Sequence, residues 1–174
     1  MRLLADGRNI SGVLLYISMY RLTLICVGKL KERHWREAQA EYLKRLSPDA
    51  KFDVIEVESE PLGATVTAAQ SMRTEGQRIL KRLPKGAQVI VMDKGGKALD
   101  SLKFADALRE WGGGGAHLTF IIGGAAGIDQ AVMERAASKL SMSALTLTHE
   151  MARIFLLEQI YRAMTIIGGK AYHY

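Results

Sequence analysis

The sequence predicts an α/β domain built on a mostly parallel sheet. Short runs rich in β-branched residues alternate along the chain with helical patterns, the order expected when helices cross between parallel strands. The chain has 174 residues, 48% of them hydrophobic, which suits one domain with a substantial core. Residues 22–27, 52–57, 88–92, 118–122 and 140–147 read as strands. Residues 31–46, 65–83, 101–111 and 129–138 read as helices between them. Pro84-Lys85-Gly86 stops the second helix and the glycines from Gly112 to Gly115 stop the third. The last helix, about 149–167, carries Ile154, Phe155, Leu156, Leu157, Ile160, Tyr161, Met164 and Ile167. That is more than one apolar stripe, so it is predicted to be buried on several sides, in the core or against a second subunit. No internal repeat or shift in composition divides the chain.

The N-terminal segment, residues 1–18, stands apart. Arg2 and Arg8 ahead of an apolar run imitate a signal peptide, but Arg21 interrupts the run and no A-x-A-like cleavage site follows. The expectation is a start at Met19, with residues 1–18 an extension outside the fold. No segment offers the roughly 18 uncharged apolar residues of a membrane span, since Arg21 breaks the first candidate and Arg153, Glu158 and Arg162 break the last. A cytoplasmic protein without membrane contact is expected. Twenty-four Lys and Arg against 18 Asp and Glu leave a net charge of +6, which favours approach to a polyanion without identifying one. The single cysteine, Cys26, lies in an apolar run, which excludes a disulfide framework or a cysteine-based zinc site within one chain and predicts an inert core thiol.

Three segments carry chemistry. Gly123-Gly124-Ala125-Ala126-Gly127 falls between a strand and a helix, where backbone can approach a ligand closely. Its spacing is not that of a dinucleotide fingerprint, and Asp129 reads equally as a helix N-cap or a ligand contact. Val91 to Lys97, with Gly95-Gly96, reads as a second loop at a strand's C-terminal end, either part of a ligand site or a solvated turn. In the run Leu140 to Glu150, small polar and apolar residues alternate. Met142, Leu145 and Leu147 can wall a ring whose edge meets backbone groups; residue chemistry alone favours a buried strand ending at Thr148 as N-cap, with Glu150 favourable in the first turn of the helix.

In order and spacing, these segments resemble the ribosomal RNA large subunit methyltransferase H family, a minimal group of the SPOUT methyltransferases. Arg21 to Gly28 is similar to that family's first strand and turn. Phe-Ile-Ile-Gly-Gly-Ala-Ala-Gly at 120–127 is similar to its glycine loop, and Ser-Met-Ser-Ala-Leu-Thr-Leu at 141–147 to its Ser-x-Ser-Ala-Leu-Thr-Leu signature. Arg153, Glu158, Tyr161-Arg162-Ala163 and Tyr172-His173 match its last helix and tail. Two departures stand out. Ala125 replaces a common proline, which frees one backbone φ without removing the amides that meet a ligand. The chain ends at Tyr174 where the family usually adds a basic residue.

The resemblance implies a single domain over 19–174 with an α/β knot, the C-terminal part forming a trefoil threaded through a loop. General experience with unknotted chains would instead select an ordinary doubly wound sheet. It implies a homodimer with the site at the subunit interface, and S-adenosylmethionine bound by Met92, Gly123, Met142, Ser143, Ala144, Leu145, Thr146 and Leu147, with no metal. The implied reaction is methylation of ring N3 of a pseudouridine in large-subunit ribosomal RNA on the assembled ribosome. His173 is the candidate for removing the imide proton. Arg162, and after it Arg153, is the candidate for holding phosphate or an anionic pyrimidine, with a pair to Glu158 as the structural alternative for Arg162. Lys29, Lys31, Arg33, Arg36, Lys44, Arg45, Lys81, Arg82, Lys85, Lys94 and Lys97 are candidate RNA contacts or solvated charges. A knotted methyltransferase acting on another RNA, such as transfer RNA, and a non-catalytic ribosome-associated RNA-binding module are the rival readings.

Overall fold

The computed structural model describes residues 19–63 and 65–170; residues 1–18 and His173 lie outside the described residues. In chain order the elements are β1 (Tyr20–Val27), α1 (Arg33–Leu46), β2 (Ala50–Val57), α2 (Ala68–Leu80), β3 (Gln88–Ala98), α3 (Ser101–Trp111), β4 (His117–Ile122), α4 (Gln130–Met133), β5 (Ala136–Ser141) and α5 (His149–Ile167). The strands form one sheet in the order β2-β1-β4-β3-β5, and every pairing is parallel.

Successive side chains of a strand point to opposite faces, and here both faces are apolar. Leu22, Leu24, Cys26, Ile90, Met92, Leu118, Phe120 and Ile122 join one buried cluster with Leu46, Phe104, Leu108, Leu156 and Ile160. That cluster lies beneath α1, α3 and α5. Ile25, Val27, Val89, Val91 and Ile121 face the other way, onto Ile79 of α2 and Val132 of α4. Two-sided burial is why these strands read as continuous apolar runs. Cys26 is 1% exposed, and burial pushes its thiol up to about 12, so it is the inert core residue expected.

The helix starts follow their caps. Thr67 accepts from the Gln70 N–H in a reciprocal capping box, Asp100 from Lys103, Asp129 from Ala131 at 2.9 Å, and Thr148 from Met151 at 3.2 Å. Asp129 is thus the N-cap of the two readings left open. α5 packs against both α1 and α3, which explains its many-sided apolar surface. Met151 and Phe155 alone among its large apolar residues are strongly exposed, at 43% and 38%.

Three expectations are corrected. The helix expected over 129–138 is a single turn, α4, and the strand expected over 140–147 is β5, ending at Ser141. Residues 136–139 are Ala-Ala-Ser-Lys, poor strand formers, but pairing with β3 at Val89, Ile90 and Val91 holds them extended; tertiary pairing overrides propensity here. Residues 93–97 are not a free loop either. β3 continues to Ala98, and Leu140 pairs with both Met92 and Lys97. The β3 backbone between them bows around β5 so closely that a Cβ on Gly96 would lie 2.6 Å from the backbone of Lys139 and Leu140. No helix among the described residues is long and apolar enough to cross a membrane.

Candidate functional site

At the C-terminal ends of β3, β4 and β5 lies a cavity of about 800 Å³. Open parallel sheets place ligands at this edge. Met92, Gly123, Met142, Ser143, Ala144, Leu145, Thr146 and Leu147 all line it. They come from three segments separated by up to some fifty residues, and the sheet order alone brings them together.

Each wall has a local cause. Met92 ends the buried part of β3 and is 8% exposed. The glycine loop closes on itself: Gly127 N–H donates to Gly124 O at 3.1 Å, and Gly127 holds φ +107°, a conformation open mainly to glycine. A Cβ on Gly123 would strike Ile128 at 2.4 Å, so the loop tolerates no side chain there without repacking. Ala125 is exposed and takes no part in that closure. The 142–147 segment belongs to no helix or ladder. Among the described residues no backbone–backbone hydrogen bond fixes it, and Leu145 N–H donates to Ser143 Oγ at 2.9 Å. Ser143 O accepts from Ser141 Oγ at 3.2 Å, and the other amide and carbonyl groups of the segment are available to a ligand edge. Leu145 is 78% exposed, an apolar flap at the cavity mouth. The donor set suits a flat heteroaromatic ring held between apolar walls and backbone polar groups.

Beyond the eight residues named from the resemblance, other members of the segments singled out in the sequence line the cavity. Asp93, Lys94, His149 and Glu150 also line the cavity. His149 and Glu150 were legible only as a helix start. His149 Nε2 lies 3.1 Å from Glu150 Oε1. Burial by itself would raise the Glu150 carboxyl, but its own backbone N–H, His149, the Thr148 hydroxyl and Arg153 together hold it below the usual carboxylate range.

Glu75 of α2 sits behind the glycine loop, 3% exposed. Its Oε1 accepts from Glu60 N–H at 2.9 Å, and its Oε2, with no hydrogen-bond partner among the described residues, is 2.5 Å from where a Gly124 Cβ would stand. Burial raises this carboxyl above its ordinary value, against the Glu60 amide and Arg78. An acid raised in the fold destabilises as pH climbs through its unfolded value toward the raised one. Glu75→Gln is therefore expected to gain stability relative to the wild type between pH 4 and pH 7 in urea unfolding; parallel curves across that range would contradict the assignment.

Arg162 and Arg153 are not among the lining residues. The Arg162 guanidinium bonds Glu158 one turn earlier, Nε to Oε1 at 3.0 Å, the structural alternative raised from the sequence. Arg153 is corrected outright. Its side chain is 0% exposed, with Nη1 2.5 Å from Glu56 Oε1, Nη2 donating to Gly28 O at 2.9 Å and a further bond to Gln39. It ties α5 to the ends of β1 and β2 and reaches no external ligand.

The profile of the family described as "Predicted SPOUT methyltransferase" matches residues 20–173. The chain is 46% identical over 156 residues to the ribosomal RNA large subunit methyltransferase H of Carboxydothermus hydrogenoformans, covering 87% of this chain and 98% of that one. It is 47% identical over 156 residues to the protein of that name from Bifidobacterium animalis, with the same coverage. The tRNA (m1G37) methyltransferase crystal structure from Aquifex aeolicus aligns with a TM-score of 0.51 at 14% identity, over 82% of this chain and 69% of that one, a likeness of fold. On that match along nearly its whole described length, and on a cavity lined by the signature segments, the chain belongs to the ribosomal RNA large subunit methyltransferase H family of SPOUT methyltransferases.

Proposed function

We propose that this protein methylates N3 of a pseudouridine in large-subunit ribosomal RNA on the assembled ribosome, in the cytoplasm, as a homodimer using S-adenosylmethionine. The observation that carries the reading is the convergence of Met92, Gly123 and 142–147 on one cavity. Its volume, its apolar walls and its unladdered backbone groups fit that cofactor. When bound, S-adenosylmethionine supplies a methyl activated by the sulfonium, so the protein's tasks are to bind, aim and remove a proton.

Met142, Leu145 and Leu147 would hold the adenine ring, and the backbone of 142–147 its polar edge. Met92 and Gly123 would bound the opposite side. For N3 to accept a methyl its imide proton must leave, and His173 is assigned as acceptor, since a neutral imidazole with an ordinary pKa of about 6.5 is competent near pH 7. Arg162 stands ten residues beyond Ala152, a lining residue of α5, or about 15 Å along the helix axis. That separation supports its serving the cavity of a second copy. The knot is taken from the family resemblance, and the single domain is taken to run over 19–174.

The test is transfer of labelled methyl to assembled ribosomes from cells lacking the protein, with the labelled nucleoside mapped. Label on a large-subunit pseudouridine is the expected result. Label on transfer RNA would move the substrate, and cofactor binding without transfer would leave a binding module. His173→Ala is expected to slow single-turnover transfer about 100-fold or more with cofactor affinity intact, and Arg162→Ala to slow it likewise. Unchanged turnover in His173→Ala would remove it as the base.

A further inference from the structure

A second cavity, of about 690 Å³, opens at the C-terminal ends of β1 and β2. Lys29 and Lys31 of the β1–α1 turn line it from one side, and Arg78, Lys81 and Arg82 from the end of α2 on the other. These two groups lie about fifty residues apart in the chain, and nothing in the sequence joins them. Among the described residues, no carboxylate lies within ion-pair distance of Lys29, Lys31, Lys81 or Arg82, and all four are exposed. Two carboxylates line the cleft, and the exposed Glu58 sets one negative charge against these four cations. Glu56 is already bonded by Arg153 at 2.5 Å and by the Leu30 N–H. Arg78 donates to Glu58 O and pairs with Glu60 at 2.8 Å, which fixes the far wall.

The cleft borders the cavity at the ends of β3, β4 and β5, with Gly28 and His149 in contact between them. Gly28 lines the one and His149 the other, and His149 Nε2 stands 3.1 Å from where a Gly28 Cβ would be. A side chain at Gly28, which also holds φ +86°, would press on the His149 ring.

We propose that this cleft binds the phosphodiester backbone of the substrate RNA beside the target nucleotide. Four unpaired cations on two facing walls suit a polyanionic strand, since each phosphate neutralised releases counterions. Phosphate contacts fix register rather than read sequence, the task a single small domain must perform to present one nucleotide to the cavity. The inference rests on the RNA-methylating function proposed above.

The experiment measures binding to assembled ribosomes from cells lacking the protein, at several salt concentrations, for the wild type and for Lys29→Gln/Lys31→Gln/Lys81→Gln/Arg82→Gln. Lys81→Gln/Arg82→Gln alone is the milder variant. Arg21→Gln/Lys51→Gln, at the N-terminal ends of the same two strands, is the control. The quadruple variant is expected to lose at least tenfold in affinity near physiological salt, and its log–log salt slope to flatten by about 2 to 3. S-adenosylmethionine affinity should stay at the wild-type value in all three. Lys81 and Arg82 also complement the C-terminal end of α2, but that role moves Tm and not the salt slope. An unchanged slope in the quadruple variant, or equal loss in the control, would overturn the cleft while leaving the functional reading standing. A wild type that binds no ribosome and transfers no methyl would overturn both.

Discussion

Arg153→Ala is expected to cost about 3–5 kcal/mol of stability, a fall in Tm of roughly 6–20 °C for a chain of this size. The guanidinium is fully buried and bonds Glu56, Gly28 O and Gln39. Removing it leaves a backbone carbonyl unpaired and the Glu56 carboxylate, 31% exposed, with only the Leu30 N–H, and losing one partner of such a pair costs more than the pair contributed in net terms. Two further variants separate the causes. Arg153→Lys should recover only part of the loss, because an ammonium cannot reproduce the planar fork that reaches acceptors from three elements. Arg153→Met with Glu56→Gln should recover most of it, because no charge is then stranded. Thermal and urea unfolding measure all three, and a Tm for Arg153→Ala within 2 °C of the wild type would contradict the assignment. S-adenosylmethionine affinity should also fall, since this bond set anchors the turn of α5 that carries His149 and Ala152 into the cavity.

Gly96→Ala is expected to cost about 3 kcal/mol, at the upper end of overpacking, and to weaken S-adenosylmethionine binding at least tenfold. Its Cβ would fall 2.6 Å from Leu140 N and from Lys139 C. Backbone cannot rotate aside as a side-chain tip can, so the β3–β5 crossing must open. Met92 and Leu140, which pair at that crossing, are both cavity walls. Gly95→Ala is the matched control: its Cβ would meet only the Asp93 carboxylate at 3.1 Å, a group that can move. It is expected to keep stability within about 1 kcal/mol. Equal behaviour of the two variants, read by calorimetric titration and thermal unfolding, would refute a steric role for the crossing.

Much of the architecture was legible from local pattern. The strands with continuous apolar runs and the capped helices α3 and α5 fall where the sequence places them, because burial on both sheet faces and side-chain caps leave direct marks on residue type. The eight residues that meet in the cavity were singled out through family resemblance, and residue chemistry alone preferred a buried strand over 140–147. That preference failed because the extended run ends at Ser141, where the pairing with β3 also ends, and residues 142–147 join no ladder.

What the sequence by itself determined is the α/β class, the sheet's core residues, the inert Cys26 and the family. Each depends on residue types in short spans or on motif order. Tertiary structure alone decided that Ala136 to Ser141 is a strand, that β3 bows around Leu140, that Arg153 is an internal tie, and that Lys29 and Lys31 face Lys81 and Arg82. The physical reason is common to all four: the deciding partner is a backbone or charge distant in the chain, and a parallel sheet in the order β2-β1-β4-β3-β5 places it there through crossovers that no local pattern records.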